Sequence, residues 1–165
     1  MKWIPGEIAG EGNQETGDEI HIDKEGQWFF KGAPIIRQDV VSFLSQHLVG
    51  LEDGSYEIHW KGQVCRVSVE DTPFVVCGVT PLKCDGRLSG VLLELNDGTT
   101  EMLAPDSLSI GFQNVPYCKV RNGRFRARFS RKAYYQLARM IEEMPGAEEG
   151  FCLRLGDKTY PIHQA

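Results

Sequence analysis

Two adjacent carboxylates, Glu70 and Asp71, lie in the segment VSVEDTPF directly after a β-branched run. Paired carboxylates are a common arrangement for general acid and base chemistry. In an extended strand, however, neighbouring side chains point to opposite faces, so these two carboxylates would diverge. Asp71 also stands two residues before Pro73, a position typical of turns. The pattern therefore favours a structural turn over a shared-proton site.

Arg37 is the cation that we expect to pair with these carboxylates. It lies at the start of a predicted helix, where the helix dipole disfavours a positive charge. A carboxylate partner would offset that cost, so we expect Arg37, Glu70 and Asp71 to form a charge cluster that ties the helix to the strand. The alternative is an uncharacterised enzyme that uses the same carboxylates together with Arg37; no catalytic residue is assigned.

The segment 119–132 contains seven cations and no acid. On an extended strand, period-two alternation places Arg124, Arg126 and Arg128 on one face and Phe125, Ala127 and Phe129 on the other. These three arginines, with Arg131, are the candidate anion-binding residues, since guanidinium groups suit phosphate and carboxylate ligands. The alternative is a solvated sheet face whose arginines pair with Glu94 or Glu101 on neighbouring strands.

The net charge of −5 is concentrated near the start of the chain. Residues 1–19 carry five acids, one base and several glycines, which predicts a flexible acidic tail. The remaining residues are close to neutral, which disfavours nucleic acid as a partner. No apolar run is long enough for a membrane span, so we expect no membrane association.

Five cysteines occur without a C-x-x-C pair, and the four histidines are scattered along the chain. This spacing predicts no metal site and no cofactor. Without a secretion signal, reduced thiols and a cytoplasmic location are expected. G-x-S-x-G, G-x-x-x-x-G-K-[ST] and H-E-x-x-H are all absent from the sequence, which disfavours an enzyme without excluding one, because catalytic triads assemble from distant residues.

Turn signals predict at least four hairpins. Their turns lie at 23–26, Lys61-Gly62, Asn96-Asp97-Gly98, Asn122-Gly123 and Gly156-Asp157. The run 74–79 is continuously apolar, as in a strand that is buried on both faces.

Two helices are predicted by apolar stripes at helical spacing. The first stripe comprises Val40, Phe43, Leu44, His47 and Leu48 and is closed by Gly50, and the second comprises Tyr134, Leu137, Ala138 and Ile141 after a Ser130 cap. Short turns without strand-helix-strand alternation indicate an α+β fold. We expect two small lobes, residues 20–79 and 80–165, each with an antiparallel sheet of hairpins and one helix.

The segments IDKEGQWFFKGAPIIRQDVVSFLSQHL, DGSYEI, VSVEDTPFVV and VRNGRFRARFSRKAYYQLARM resemble the bacterial domain-of-unknown-function family DUF1285. The most specific parts are Trp28 to Arg37, which reads W-x2-K-G-x-P-I-x-R, and V-E-D-x-P-F from Val69 to Phe74. The resemblance covers roughly residues 20–162 and implies a soluble two-lobed α+β protein, each lobe a curled sheet with a helix. It implies no activity and no catalytic residues.

These patterns together favour a non-catalytic binding or regulatory module. Its expected partner is a small anionic ligand or a protein, bound through the arginine face or a cleft. The alternatives are the enzyme described above and a homodimeric assembly protein. The sequence does not name the ligand.

Overall fold

The computed structural model describes residues 19–148 and 150–165. The acidic tail predicted for residues 1–19 lies, apart from Glu19, outside the described residues. In the described part of the chain, no helix combines the length and the apolar character needed to cross a membrane. The fold is α+β, as predicted, with two helices among predominantly β structure in the described ranges. It divides into two compact units, the first ending at Pro73 and the second beginning at Phe74.

The first unit contains a six-stranded sheet with the order β3-β2-β1-β6-β5-β4 and one helix. Its central pair, β1 and β6, is parallel, and the other neighbours are antiparallel. The elements are β1 (Ile20–Ile22), β2 (Trp28–Phe30), β3 (Ala33–Pro34), α1 (Gln38–Gln46), β4 (Leu48–Gly50), β5 (Tyr56–Trp60) and β6 (Gln63–Val69).

Both hairpins predicted in this unit are confirmed. Strands β1 and β2 pair around residues 23–27, and the side chain of Asp23 accepts the backbone N–H groups of Glu25 and Gln27. Strands β5 and β6 meet at a two-residue turn in which Lys61 and Gly62 have φ values of 46° and 77°. Two consecutive positive φ values match the right-handed twist of the flanking strands, which explains the glycine.

The helix α1 is shorter than predicted. It ends at Gln46, and the backbone N–H of His47 bonds the carbonyl of Leu44. Leu48 then begins β4, where it pairs with Ile58. The apolar spacing continued past the end of the helix because Leu48 is buried as a strand residue, not as a helical one.

The second unit contains a seven-stranded and a three-stranded sheet. The strand orders are β16-β10-β11-β12-β7-β8-β9 and β13-β14-β15. The elements are β7 (Phe74–Cys84), β8 (Arg87–Leu95), β9 (Thr100–Met102), β10 (Ser109–Ile110), β11 (Pro116–Val120), β12 (Phe125–Phe129), α2 (Arg131–Ala138), β13 (Ile141–Glu143), β14 (Phe151–Leu155), β15 (Lys158–Pro161) and β16 (His163–Gln164).

Strand β7 lies between β12 and β8 in the larger sheet. It pairs in parallel with β12 and antiparallel with β8, and five of its first six residues are buried, as the apolar run predicted. The sequence placed the division of the chain between residues 79 and 80. The units divide at Phe74 instead, because residues 74–79 hydrogen-bond into the sheet of the second unit.

The predicted cap of α2 is confirmed, since the side chain of Ser130 accepts the backbone N–H of Ala133 at 3.2 Å. The helix ends at Ala138, earlier than predicted, and Ile141 belongs to β13, where it pairs with Leu153. The predicted last hairpin is confirmed as β14 and β15, with Gly156 in its turn.

Candidate functional site

The arginine-bearing strand alternates as predicted. Phe125, Ala127 and Phe129 of β12 are buried at 7%, 0% and 2% exposure. Between them, Arg126 is exposed and Arg128 is half-buried. The alternation follows from the opposite directions of successive side chains on a strand. The arginines therefore share a face that points away from the phenylalanines.

Arg124 lies in the turn and not in the strand, contrary to expectation. The hairpin pairs Val120 with Phe125, which leaves a four-residue turn in which Arg121, Asn122 and Gly123 all have positive φ. The Nε–H of Arg124 donates to the carbonyl of Arg121 at 3.1 Å. The wider turn releases Arg121 from strand pairing, and its side chain enters a separate network.

That network anchors the hairpin to the neighbouring part of the second unit. The guanidinium of Arg121 bonds the carboxylate of Asp97, which is 1% exposed, and the hydroxyl of Thr99 at 2.9 Å. The backbone N–H of Arg121 donates to both carboxylate oxygens of Glu101 at 3.2 Å. Arg121 is thus a structural cation, and Glu101 contacts its backbone instead of the arginine face.

A pocket of about 220 Å³ lies beside the arginine face, and we call it the basic pocket. Two of the four predicted anion-binding residues line it, Arg124 and Arg126, and Lys119 joins them. The rest of its lining is neutral: Ser107, Ser109, Tyr117, Cys118, Gly123 and Phe125. Arg128 and Arg131 do not line it; Arg131 is exposed at the first residue of α2, 6.0 Å from the ring centroid of Tyr135.

The cations of the basic pocket are held by the fold without carboxylates. Lys119 stands directly opposite Arg126 in the β11–β12 register. The guanidinium carbon of Arg126 lies 3.7 Å from the ring centroid of Tyr117, a close cation–π contact. Within residues 19–148 and 150–165, no carboxylate lies within 4.0 Å of the charged nitrogens of Lys119, Arg124 or Arg126. The pocket is therefore electropositive.

A serine hydroxyl completes one side of the basic pocket. The Oγ of Ser107 accepts the backbone N–H of Lys119 at 3.0 Å and donates to the carbonyl of Ala104 at 2.7 Å. The first bond attaches the 104–107 segment to β11, and the second lies within the segment itself. The sequence predicted the arginines as anion-binding residues, but no pattern in it indicated that residues 107 and 109 would lie beside them.

The predicted cluster of Arg37, Glu70 and Asp71 takes a different form. Arg37 makes a two-pronged bond with Asp39, at 2.6 Å and 3.1 Å, and both side chains are exposed. This hydrogen-bonded pairing raises the pKa of Arg37 and lowers the pKa of Asp39. The carboxylate that offsets the helix dipole is thus Asp39, in the first turn of α1, so the predicted tie to Glu70 was wrong.

Glu70 is bound instead by the first hairpin. Its carboxylate accepts the backbone N–H of Lys24 at 3.0 Å and lies 3.2 Å from Nε2 of His21. These two interactions, the backbone bond first, lower the pKa of Glu70. Asp71 is half-buried next to it in the chain. The sequence missed His21, which is 49 residues away and meets Glu70 only through the parallel pairing of β1 and β6.

Two solved structures share this fold. A DUF1285 family protein from Silicibacter pomeroyi DSS-3 is 22% identical and superposes with a TM-score of 0.70 over 87% of this chain and 79% of its own. A second, from Shewanella baltica OS155, is 17% identical with a TM-score of 0.62 over 74% of this chain and 91% of its own.

The chain has the fold of DUF1285 family proteins. The predicted resemblance is therefore confirmed at the level of the fold. No family model matches the chain. No curated protein matches it either. A shared fold does not imply a shared function, so the functional evidence lies in the residues of this chain.

Proposed function

We propose that this protein is a binding module for a small anionic ligand, held in the basic pocket. The observation that supports the proposal is the convergence of Lys119, Arg124 and Arg126 on one concavity that no described carboxylate enters. Cations directly opposite each other on paired strands repel. An anion between Lys119 and Arg126 relieves that repulsion.

The size and chemistry of the pocket support a small anionic ligand. Its volume of about 220 Å³ is below that of pockets for drug-sized molecules, roughly 300–1,000 Å³. A phosphate or carboxylate group on a small metabolite fits this volume. Guanidinium groups bind such groups through two parallel N–H bonds, and the hydroxyl of Ser109 adds a further donor. Stacking on Tyr117 preorganises Arg126, which reduces the entropy lost on binding.

We also propose a cytoplasmic location, which the cysteines support. None of the five is in a disulfide bond, and Cys118 and Cys152 are buried as small apolar side chains. Reduced thiols are typical of the cytosol.

Isothermal titration calorimetry with inorganic phosphate, pyrophosphate and citrate at low salt tests the proposal. We expect saturable binding of at least one of these anions that weakens as salt rises, because screening weakens exposed charge pairs. Replacing one cation, in Lys119→Gln or Arg126→Gln, removes a charge-assisted hydrogen bond that contributes about 1.5–3 kcal/mol, so affinity falls about 10- to 100-fold.

Arg87→Gln is the matched control. Arg87 lies in the same unit, is 72% exposed, and pairs with Asp157 on the surface away from the basic pocket. The Arg87→Gln substitution removes the same single positive charge as Arg126→Gln. It therefore separates the effect of losing local contacts from the effect of changing the net charge. Equal losses in Arg87→Gln and Arg126→Gln, or no saturable binding of any of the three anions, refute the proposal.

A further inference from the structure

A serine, a histidine and a glutamate form a hydrogen-bonded row on the sheet of the first unit. The Oγ of Ser68 lies 2.5 Å from Nδ1 of His21, and Nε2 of the same ring lies 3.2 Å from Oε1 of Glu70. Oε2 of Glu70 is itself fixed by the backbone N–H of Lys24 at 3.0 Å. The row therefore has a hydroxyl, an imidazole and an anchored carboxylate in sequence.

The carboxylate determines how the imidazole is protonated. The pKa of Glu70 is lowered, first by the Lys24 backbone bond and then by His21, so the group is ionised at neutral pH and can only accept. The Nε2 atom of neutral His21 must then carry the proton that Glu70 accepts. Its Nδ1 lone pair consequently faces the Ser68 hydroxyl. This is the arrangement in which a base activates a nucleophile and an acid orients the base.

The sheet holds these groups in place. His21 pairs with Ser68 across the parallel β1–β6 register and with Phe29 on the other side, so the three residues share one face. Ile20 and Ile22, which flank His21, are both 0% exposed and fix the strand from the opposite face. The reactive face is open, since the side chains of His21 and Glu70 are 36% and 45% exposed. Ser68 itself is half-buried in β6, so a small reagent can reach its hydroxyl from this face.

We propose that Ser68 is an activated nucleophile that accepts acyl groups from small activated esters. Its Oγ attacks the ester carbonyl carbon while its proton moves to Nδ1 of His21. The aryloxide leaving group departs with that proton as the phenol, and acyl-Ser68 remains. Water then attacks the acyl carbon and gives its proton to His21, which returns it to Oγ as the carboxylic acid departs.

The chemistry is limited to esters with good leaving groups. The backbone N–H groups nearest the row are already used, since Lys24 donates to Glu70 and Glu70 donates to Ile22. Activation therefore comes from the base alone. General-base catalysis typically contributes on the order of 10²–10⁴-fold. Aryl esters, whose leaving groups need little assistance, are the expected substrates.

The test uses 4-nitrophenyl acetate and a fluorophosphonate probe on the full chain, with the modified residue mapped by mass spectrometry. We expect acetylation and phosphonylation at Ser68. In His21→Gln the rate should fall by about 10²- to 10⁴-fold. Ser68→Ala should abolish labelling at that peptide. The matched control is Ser55→Ala, because the Ser55 hydroxyl donates to Asp53 and not to a histidine.

Glu70 is a positioning residue, and the labelling rates of two Glu70 variants test that role. Glu70→Gln should slow labelling because an amide can donate to Nε2 and so stabilise the wrong tautomer, and Glu70→Asp should restore part of the rate. Circular dichroism melting of every variant confirms that it is folded. Labelling spread over several hydroxyls, or a folded His21→Gln that labels as fast as the native chain, overturns the proposal. Neither result bears on the basic pocket, which is in the other unit.

Discussion

The buried pair between Arg121 and Asp97 supports the hairpin on which the basic pocket is built, and it can be tested directly. The change is Arg121→Met, which keeps an apolar stem beside Phe74 but removes the charge. The Asp97 carboxylate, 1% exposed, then loses the cation that balances it. Removing one partner of a buried ion pair costs about 3–5 kcal/mol.

The structure places the cost toward the lower end of that range. Asp97 keeps two donors from Thr99, its backbone N–H at 3.0 Å and its hydroxyl. The cation–π contact between Arg121 and Phe74, 5.2 Å from the ring centroid, contributes about 0.5–1 kcal/mol more. We therefore expect Arg121→Met to lower the free energy of unfolding by about 3–4 kcal/mol. For a chain of this size, each kcal/mol lost lowers Tm by about 2–4 °C.

Urea unfolding followed by far-UV circular dichroism measures this loss. No tryptophan follows Trp60 in the sequence, and Trp28 and Trp60 lie in the first unit, so their fluorescence reports separately on that unit. The double variant with Asp97→Asn should recover part of the loss, because a neutral amide needs no cation. A loss below about 1 kcal/mol in Arg121→Met, the value of an exposed pair, or no recovery in the double variant, refutes the reasoning.

Two further predictions concern the lining of the basic pocket. A Cβ on Gly111 would lie 2.7 Å from Cε2 of Tyr117. Gly111→Ala should therefore lower the free energy of unfolding, measured in urea, by about 1–3 kcal/mol. Because the clash displaces the ring under Arg126, the substitution should also weaken anion binding in calorimetry. Burial, assisted by the negative charge of Glu101, raises the pKa of the Cys118 thiol to about 12, so iodoacetamide at neutral pH should leave Cys118 unmodified by peptide mapping until the chain is unfolded.

Local chemistry explains which parts of the fold could be predicted. The turn at Lys61-Gly62 requires positive φ at both residues, and glycine marks such turns in any sequence. The alternation in β12 follows from the geometry of a single strand. Both depend only on residues close in sequence. Both predictions are confirmed.

Long-range pairing explains the errors. The predicted helical stripe of α1 included Leu48, which belongs to β4. A buried strand residue directly after a helix produces the same apolar signal as a helical one. The carboxylate of Glu70 was expected to meet Arg37, but the parallel pairing of β1 with β6 brings His21 to it instead. Parallel pairs are joined by long connections and leave no turn signature. The Ser68–His21–Glu70 row was therefore invisible in the sequence.

The β11–β12 hairpin carries two kinds of cation, the structural Arg121 and the proposed ligand-binding residues Lys119 and Arg126. Against Arg121 the fold places a buried carboxylate, Asp97, and a second acid, Glu101, at the backbone. A few residues away, Lys119 and Arg126 face each other across the register, with neutral hydroxyls and an aromatic ring around them. A solvated sheet face gains stability from opposite charges across strands and loses it from like charges. Since this chain supplies acids where the hairpin needs an anchor and none of the described acids where the pocket opens, the unbalanced charge is better explained by an external anion than by sheet stability.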